Sequence, residues 1–138
     1  TKIFTLYTAC SFIQKQRIDP KTFLVEITFS AESRLGTTAW LEPGDKVYLY
    51  DLLFGLMLPS GNDAAVAISI AIGELLLAEG RFAPKENKGG SKPLNARTAF
   101  LALMHMECSN LGFKSSQFQN SHGLANIFNM TNAVETAN

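Results

Sequence analysis

The sequence has little of what would mark a nucleic-acid, metal or membrane protein. Its 12 Lys+Arg balance 12 Asp+Glu, so there is no electrostatic reason to expect nucleic acid or an anionic membrane as partner. Zinc-finger spacing, a basic stripe and a phosphate-binding glycine loop are all missing, and neither a metal nor a cofactor is expected. Cysteine is scarce. Cys10 and Cys108 both fall on apolar helical patterns, which favours buried free thiols over a disulfide. Long apolar runs are missing too. Leu52 to Leu58 is too short to span a bilayer, and Ala64 to Ala78 contains Glu74 and falls short of the ~20 apolar residues required. No signal peptide is visible, and the chain opens on Thr1-Lys2 inside a helical pattern, so a fragment is expected and location stays open.

What is present is globular material: 138 residues, 46% apolar and 17% charged, nominally enough for one domain. Ile3, Leu6, Tyr7, Cys10 and Ile13 recur at helical spacing, and that helix should end near Gln14 to Arg17 before Asp19-Pro20. Phe23 to Phe29 is β-branched and aromatic and reads as a strand; Ser33 to Leu41 is a loop or a second short strand. Glu42-Pro43-Gly44-Asp45 is a turn, after which Val47 to Tyr50 is extended. Residues 81–94, rich in Lys, Gly, Pro and Asn, read as a solvated surface insertion. Asn95 can cap a helix with the stripe Ala99, Leu103, Met106 and Leu111, stopped by Gly112. Phe118 to Leu124 is irregular and polar, and Thr131 to Asn138 begins a helical pattern.

The organising stretch is Asp51 to Ser69, read as a short helix, a polar break and an almost wholly apolar helix that must be buried on most faces. Asp51 can cap the first helix, Pro59 should push Leu58 towards an extended conformation, and Asn62 or Asp63 can cap the second. Gly61 permits the tight backbone between them. An S-x-N tripeptide alone reads as a capping turn. Its surroundings here are more specific.

The block Asp51 to Ser69 resembles the second motif of the serine D-alanyl-D-alanine carboxypeptidases, the low-molecular-mass penicillin-binding proteins of the β-lactamase/transpeptidase-like superfamily. That motif reads roughly D-L-L-x-x-L-L-L-P-S-G-N-D-A-A-x-A. Gly36-Thr37 and Leu41 to Val47 resemble the family's approach to it. Phe100 to Gly112 resembles F-x-x-x-M-N-x-x-A-x-x-L-G, and Phe118 to Leu124 resembles F-x-N-P-H-G-L. The matches run in order over most of the chain. The resemblance implies a chain that is mainly α with a short β segment, the helical lobe of an α/β (α+β) fold whose antiparallel sheet lies elsewhere. Residues 1–138 would then be a single partial domain.

The resemblance also implies acyl transfer: a serine attacks the amide before a terminal D-alanine of a peptidoglycan stem peptide, and water hydrolyses the acyl-enzyme. Thr1-Lys2 looks like the end of the first motif, S-x-T-K, which makes Lys2 the motif lysine and puts the nucleophile two residues upstream of Thr1. Ser60 would join the proton relay. Asn62 would hydrogen-bond the substrate or the lysine, and Gly61 would allow the turn that aims both inward. His122, beside Gly123, would fix its loop by hydrogen bonds, with direct catalysis the smaller alternative. The third motif, K-T-G, is missing; Lys21-Thr22-Phe23 has the wrong third residue and precedes the second motif. The piece alone is therefore expected to be inactive.

His105, Cys108 and Ser121 depart from the family's usual Asn, Ala and Pro, and Glu135 stands for the acidic residue of the following helix. β-Lactams would be inhibitors, and an extracytoplasmic, periplasmic, membrane-associated location is implied for a bacterial member. Two other readings stand beside this one. The first is a non-catalytic homologue or split fragment serving as a structural subunit, with a partner chain supplying the sheet. The second is a serine β-lactamase.

Overall fold

The computed structural model describes residues 1–28, 35–82, 95–124 and 126–137. Among them the order is α1 (Lys2–Gln16), β1 (Leu24–Glu26), β2 (Lys46–Tyr48), α2 (Leu49–Met57), α3 (Asn62–Ala78), α4 (Ala96–Asn110) and α5 (Ala133–Ala137). The two strands pair antiparallel, with Leu24 opposite Tyr48 and Glu26 opposite Lys46. The chain is mainly helical with one short hairpin-like pair, as expected. Phe29, Ser33 and Arg34, and residues 83–94 of the expected insertion, lie outside the described residues; Arg81 and Phe82 form a turn.

α3 is the axis. Ala64, Ala65, Ile68, Ile72 and Leu76 are all fully buried, so the helix that is apolar nearly all round is covered nearly all round. Gly80 follows it at φ +68°, the left-handed conformation glycine adopts without a Cβ penalty. α4 packs along α3, starting from a capping box in which Asn95 accepts from the Thr98 N–H and Thr98 Oγ1 accepts from the Asn95 N–H. Ala99, Phe100, Leu103 and Met104 of α4 enter the shared core with Leu49, Leu52 and Leu56 of α2. Lys15 on α1 reaches the buried Glu107 of α4 at 2.7 Å, which satisfies an otherwise uncompensated carboxylate.

Several local expectations are corrected. The buried side of α1 is Thr5, Thr8, Ala9, Phe12 and Ile13, while Ile3, Tyr7 and Cys10 face outward. The apolar stripe pointed the wrong way because two threonines are buried by making hydrogen bonds, Thr8 to Phe4 O and Thr5 to Ser121 O. Cys10 is thus exposed; Cys108 is buried, and both thiols are free. Burial first, and Glu135 second, push the Cys108 thiol up to about 11. In α4, Met106 is half-buried and Leu111 exposed, so the stripe closes through Phe100, Met104 and Cys108 instead.

α2 begins at Leu49 with Tyr48 before it, so Asp51 lies inside the first turn, makes no capping bond, and complements the helix dipole. Leu58 keeps a right-handed helical conformation because its N–H still bonds Phe54 O, and Pro59 redirects the chain one residue later.

Candidate functional site

The polar break Ser60-Gly61-Asn62 lies between α2 and α3 and is shaped by Ser60, whose φ of +57° makes the turn. Gly61 has φ −62° and does not need glycine for its dihedrals. It needs glycine for space. A Cβ at Gly61 would meet Asp63 Oδ1 at 2.7 Å, Gly55 O at 2.8 Å and Ala39 N at 2.9 Å. Neither Asn62 nor Asp63 is the N-cap of α3: Gly61 holds that position, Asn62 points away, and Asp63, inside the first turn, takes the Ala64 N–H alongside donors from outside the helix.

Asn62 is almost fully buried and bridges two parts of the chain. Its Oδ1 accepts from Lys2 Nζ at 2.7 Å, and its Nδ2 donates to Leu35 O at 2.6 Å. Lys2 also donates to His122 O at 2.7 Å, so the first turn of α1, the start of α3 and loop 118–124 meet at one ammonium. Burial lowers the Lys2 pKa from the ordinary lysine value, which eases release of its proton. Ser60 is solvent-exposed beside this cluster, and its carbonyl accepts from Thr37 Oγ1.

Loop 118–124 is held from three sides. His122 Nδ1 accepts from Leu124 N at 3.1 Å, and Asn120 Oδ1 accepts from Gly123 N at 2.6 Å. Gly123, at φ +81°, lies against Thr1, whose Cβ would be 3.0 Å from an added Cβ. Two of the departures are used here. Ser121 Oγ donates to Ala65 O on α3, and His105 Nε2 accepts from Phe118 N at 3.3 Å. The structure thus brings Lys2, Asn62, Gly61, His122 and Gly123 into one cluster with Ser60 at its exposed rim.

Sequence reasoning named Gly36-Thr37 and Leu41 only as the approach to the motif and gave loop 35–41 no part in the site. Thr37 O accepts from Asn62 N at 2.8 Å. Asp63 accepts from Thr38 Oγ1 at 2.6 Å, Ala39 N at 2.8 Å, Leu41 N at 3.0 Å and Ala64 N at 2.9 Å. Burial by itself would raise its pKa; the bonds from Ala39, Thr38, Leu41 and Ala64 outweigh that and hold the carboxyl below the usual aspartate value. The signal was available in Gly36-Thr37, but a loop's partners have no periodicity to betray them.

Gly36 has φ +76°, and a Cβ there would come 2.7 Å from Asn62 Nδ2. Gly36→Ala is therefore expected to destabilise by about 2–3 kcal/mol, left-handed strain plus the clash. Gly44→Ala is the control: its φ is +93° but nothing lies within 4 Å, so only the strain of about 1–2 kcal/mol should appear. Denaturation midpoints measure the difference; equal losses would mean that Asn62 does not crowd Gly36.

A half-buried lysine thus joins the Ser-Gly-Asn turn to the His-Gly loop, on a helical lobe built round an almost wholly apolar central helix. The family of D-alanyl-D-alanine carboxypeptidases of peptidase group S11 matches residues 1–74, and the chain belongs to it. A D-alanyl-D-alanine carboxypeptidase of Streptomyces sp. strain K15 is 34% identical over 88 residues, 64% of this chain and 25% of that protein. DacF of Bacillus subtilis is 28% identical over 137 residues, 99% of this chain and 30% of its own length. Among solved structures, DacD of Francisella tularensis superposes with a TM-score of 0.74 at 27% identity, over 99% of this chain and 28% of that one. The Streptomyces K15 DD-transpeptidase gives 0.71 at 27%, over 98% of this chain and 47% of that one. The chain therefore corresponds to the helical part of this fold and spans from about a quarter to just under half of each of these proteins.

Proposed function

We propose that the complete protein is a serine-type D-Ala-D-Ala carboxypeptidase that removes the terminal D-alanine of peptidoglycan stem peptides through an acyl-enzyme. Residues 1–138 form part of its one catalytic domain. The observation that carries this reading is the 2.7 Å hydrogen bond from Lys2 Nζ to Asn62 Oδ1, a junction between the first-motif lysine and the second-motif asparagine.

In this reading a serine preceding Thr1 attacks the carbonyl of the penultimate D-alanine. Its hydroxyl proton moves into the Lys2–Ser60 network and on to the departing amine of the last D-alanine. A lysine whose ammonium is disfavoured by burial suits that exchange. Asn62 holds Lys2 at the substrate's edge; Gly61 gives the turn its room; His122 and Gly123 keep the loop carbonyl on Lys2. Water then cleaves the ester. β-Lactams enter the same path as mimics of acyl-D-Ala-D-Ala. Such a substrate places the protein outside the cytoplasm. Among the described residues no helix is long and apolar enough to cross a membrane.

The test is covalent labelling of the full-length protein by a fluorescent penicillin. One adduct per chain, blocked by excess unlabelled penicillin, is expected. A folded full-length protein that takes no label would end the carboxypeptidase reading and leave a structural subunit.

A further inference from the structure

We propose that Asp63 is the positioning residue of this site: by docking loop 35–41 onto the start of α3, it holds the Asn62 amide with its oxygen towards Lys2. An asparagine amide has an accepting end and a donating end, and a lysine ammonium only donates. Asn62 can therefore serve Lys2 only with Oδ1 forward, and its NH2 must then find an acceptor elsewhere in a nearly closed environment. Leu35 O is that acceptor, at 2.6 Å. Were Leu35 O to withdraw, the buried NH2 would be left without its acceptor and only Lys2 would hold the amide in place.

Loop 35–41 contains no helix or strand of its own, and two of its residues have left-handed backbones, Gly36 at φ +76° and Trp40 at φ +61°. A non-glycine residue in that region costs on the order of 1–2 kcal/mol and persists only where its surroundings determine it. Asp63 supplies the determination. Three of its four donors come from the loop: the Thr38 hydroxyl and the N–H groups of Ala39 and Leu41. Asp63 is only 6% exposed, and charge-assisted bonds in such a setting are the stronger kind. Thr37, just before the anchored residues, completes the dock by accepting from Asn62 N and donating to Ser60 O. Asn62 and Asp63 are consecutive on a helix, so their side chains diverge: one faces Lys2, the other grips the loop that orients the first.

The proposal rests on the acyl-transfer reading only in its kinetic arm. Asp63→Asn is made in the full-length protein, and solvent exchange of the Asn62 side-chain NH2 is compared by NMR with the backbone amides of Ile68 and Ile72 in the same helix. Exchange at Asn62 should rise about tenfold or more, with Ile68 and Ile72 within about twofold of the parent. Acylation by fluorescent penicillin should slow by a similar factor. Unchanged exchange at Asn62 overturns the proposal, and so does equal loosening at all three positions, which would make Asp63 a general helix stabiliser. If Asp63→Asn does not fold, Thr38→Val decides: it removes one loop donor, and a severalfold rise at Asn62 supports the role while no change overturns it. If the exchange result holds but the parent protein takes no penicillin, the enzymatic reading fails and the positioning role stands.

Discussion

Gly73→Ala should destabilise the protein by about 3 kcal/mol, the upper part of the range for overpacking a close-packed interior. The sign is the informative part. In a helix interior, alanine is favoured over glycine by about 1 kcal/mol, so a reading of α3 by itself makes the change stabilising. The interface with α4 reverses that. A Cβ at Gly73 would stand 1.9 Å from Ala96 O, 2.4 Å from Ala96 C and 2.8 Å from Ala96 Cα. Those are backbone atoms at the first residue of α4, held by the Asn95–Thr98 capping box, and they cannot rotate away as a side-chain end could. The helices must separate, and Ile72, Leu76, Ala99 and Phe100 lose contact together. A chemical denaturation series on Gly73→Ala measures this; a raised midpoint would show that the close approach of α3 and α4 is not a constraint.

Lys2→Ala in the full-length protein should reduce penicillin acylation by about 10²–10⁴-fold, the span for removing a positioned proton-transfer group. Stability should fall as well, by about 1–3 kcal/mol, because Asn62 Oδ1 and His122 O each lose their ammonium donor. The two losses can be separated by pH. Burial lowers the Lys2 pKa, so the rising limb of the parent's acylation rate against pH should lie below the ordinary lysine value. In Lys2→Ala that limb should vanish, whereas a variant that is merely less stable would keep it. Retention of the limb would remove Lys2 from the relay.

How much of this was legible beforehand depends on the kind of signal. α3 was readable because a helix apolar on nearly every face has one stable fate, burial, and Gly80 marks its end whatever surrounds it. The α4 start was readable because a capping box closes over four residues. The face of α1 was not. Threonine counts as polar in a periodicity, yet Thr5 and Thr8 are buried because carbonyls of Ser121 and Phe4 receive their hydroxyls. The role of glycine in the polar break was assigned to a dihedral at Gly61, whereas the dihedral belongs to Ser60 and Gly61 answers to atoms of Gly55, Ala39 and Asp63.

By itself, then, the sequence determined the central buried helix, the capped helix beside it, and the order of motifs that carries the resemblance: Lys2 and the Ser60-Gly61-Asn62 turn, both within the residues the family model matches, and the His122-Gly123 loop beyond them. Each of these is local, a period or a run of residues that carries its meaning within one or two turns of chain. Only the tertiary structure decided which end of Asn62 meets Lys2, that the His122 carbonyl rather than its ring takes the second ammonium bond, and that three of the four donors to Asp63 come from the loop and not the helix. Those outcomes turn on hydrogen bonds between residues distant in the chain. Such bonds follow from how the elements pack, and composition or spacing along one element does not encode the partner.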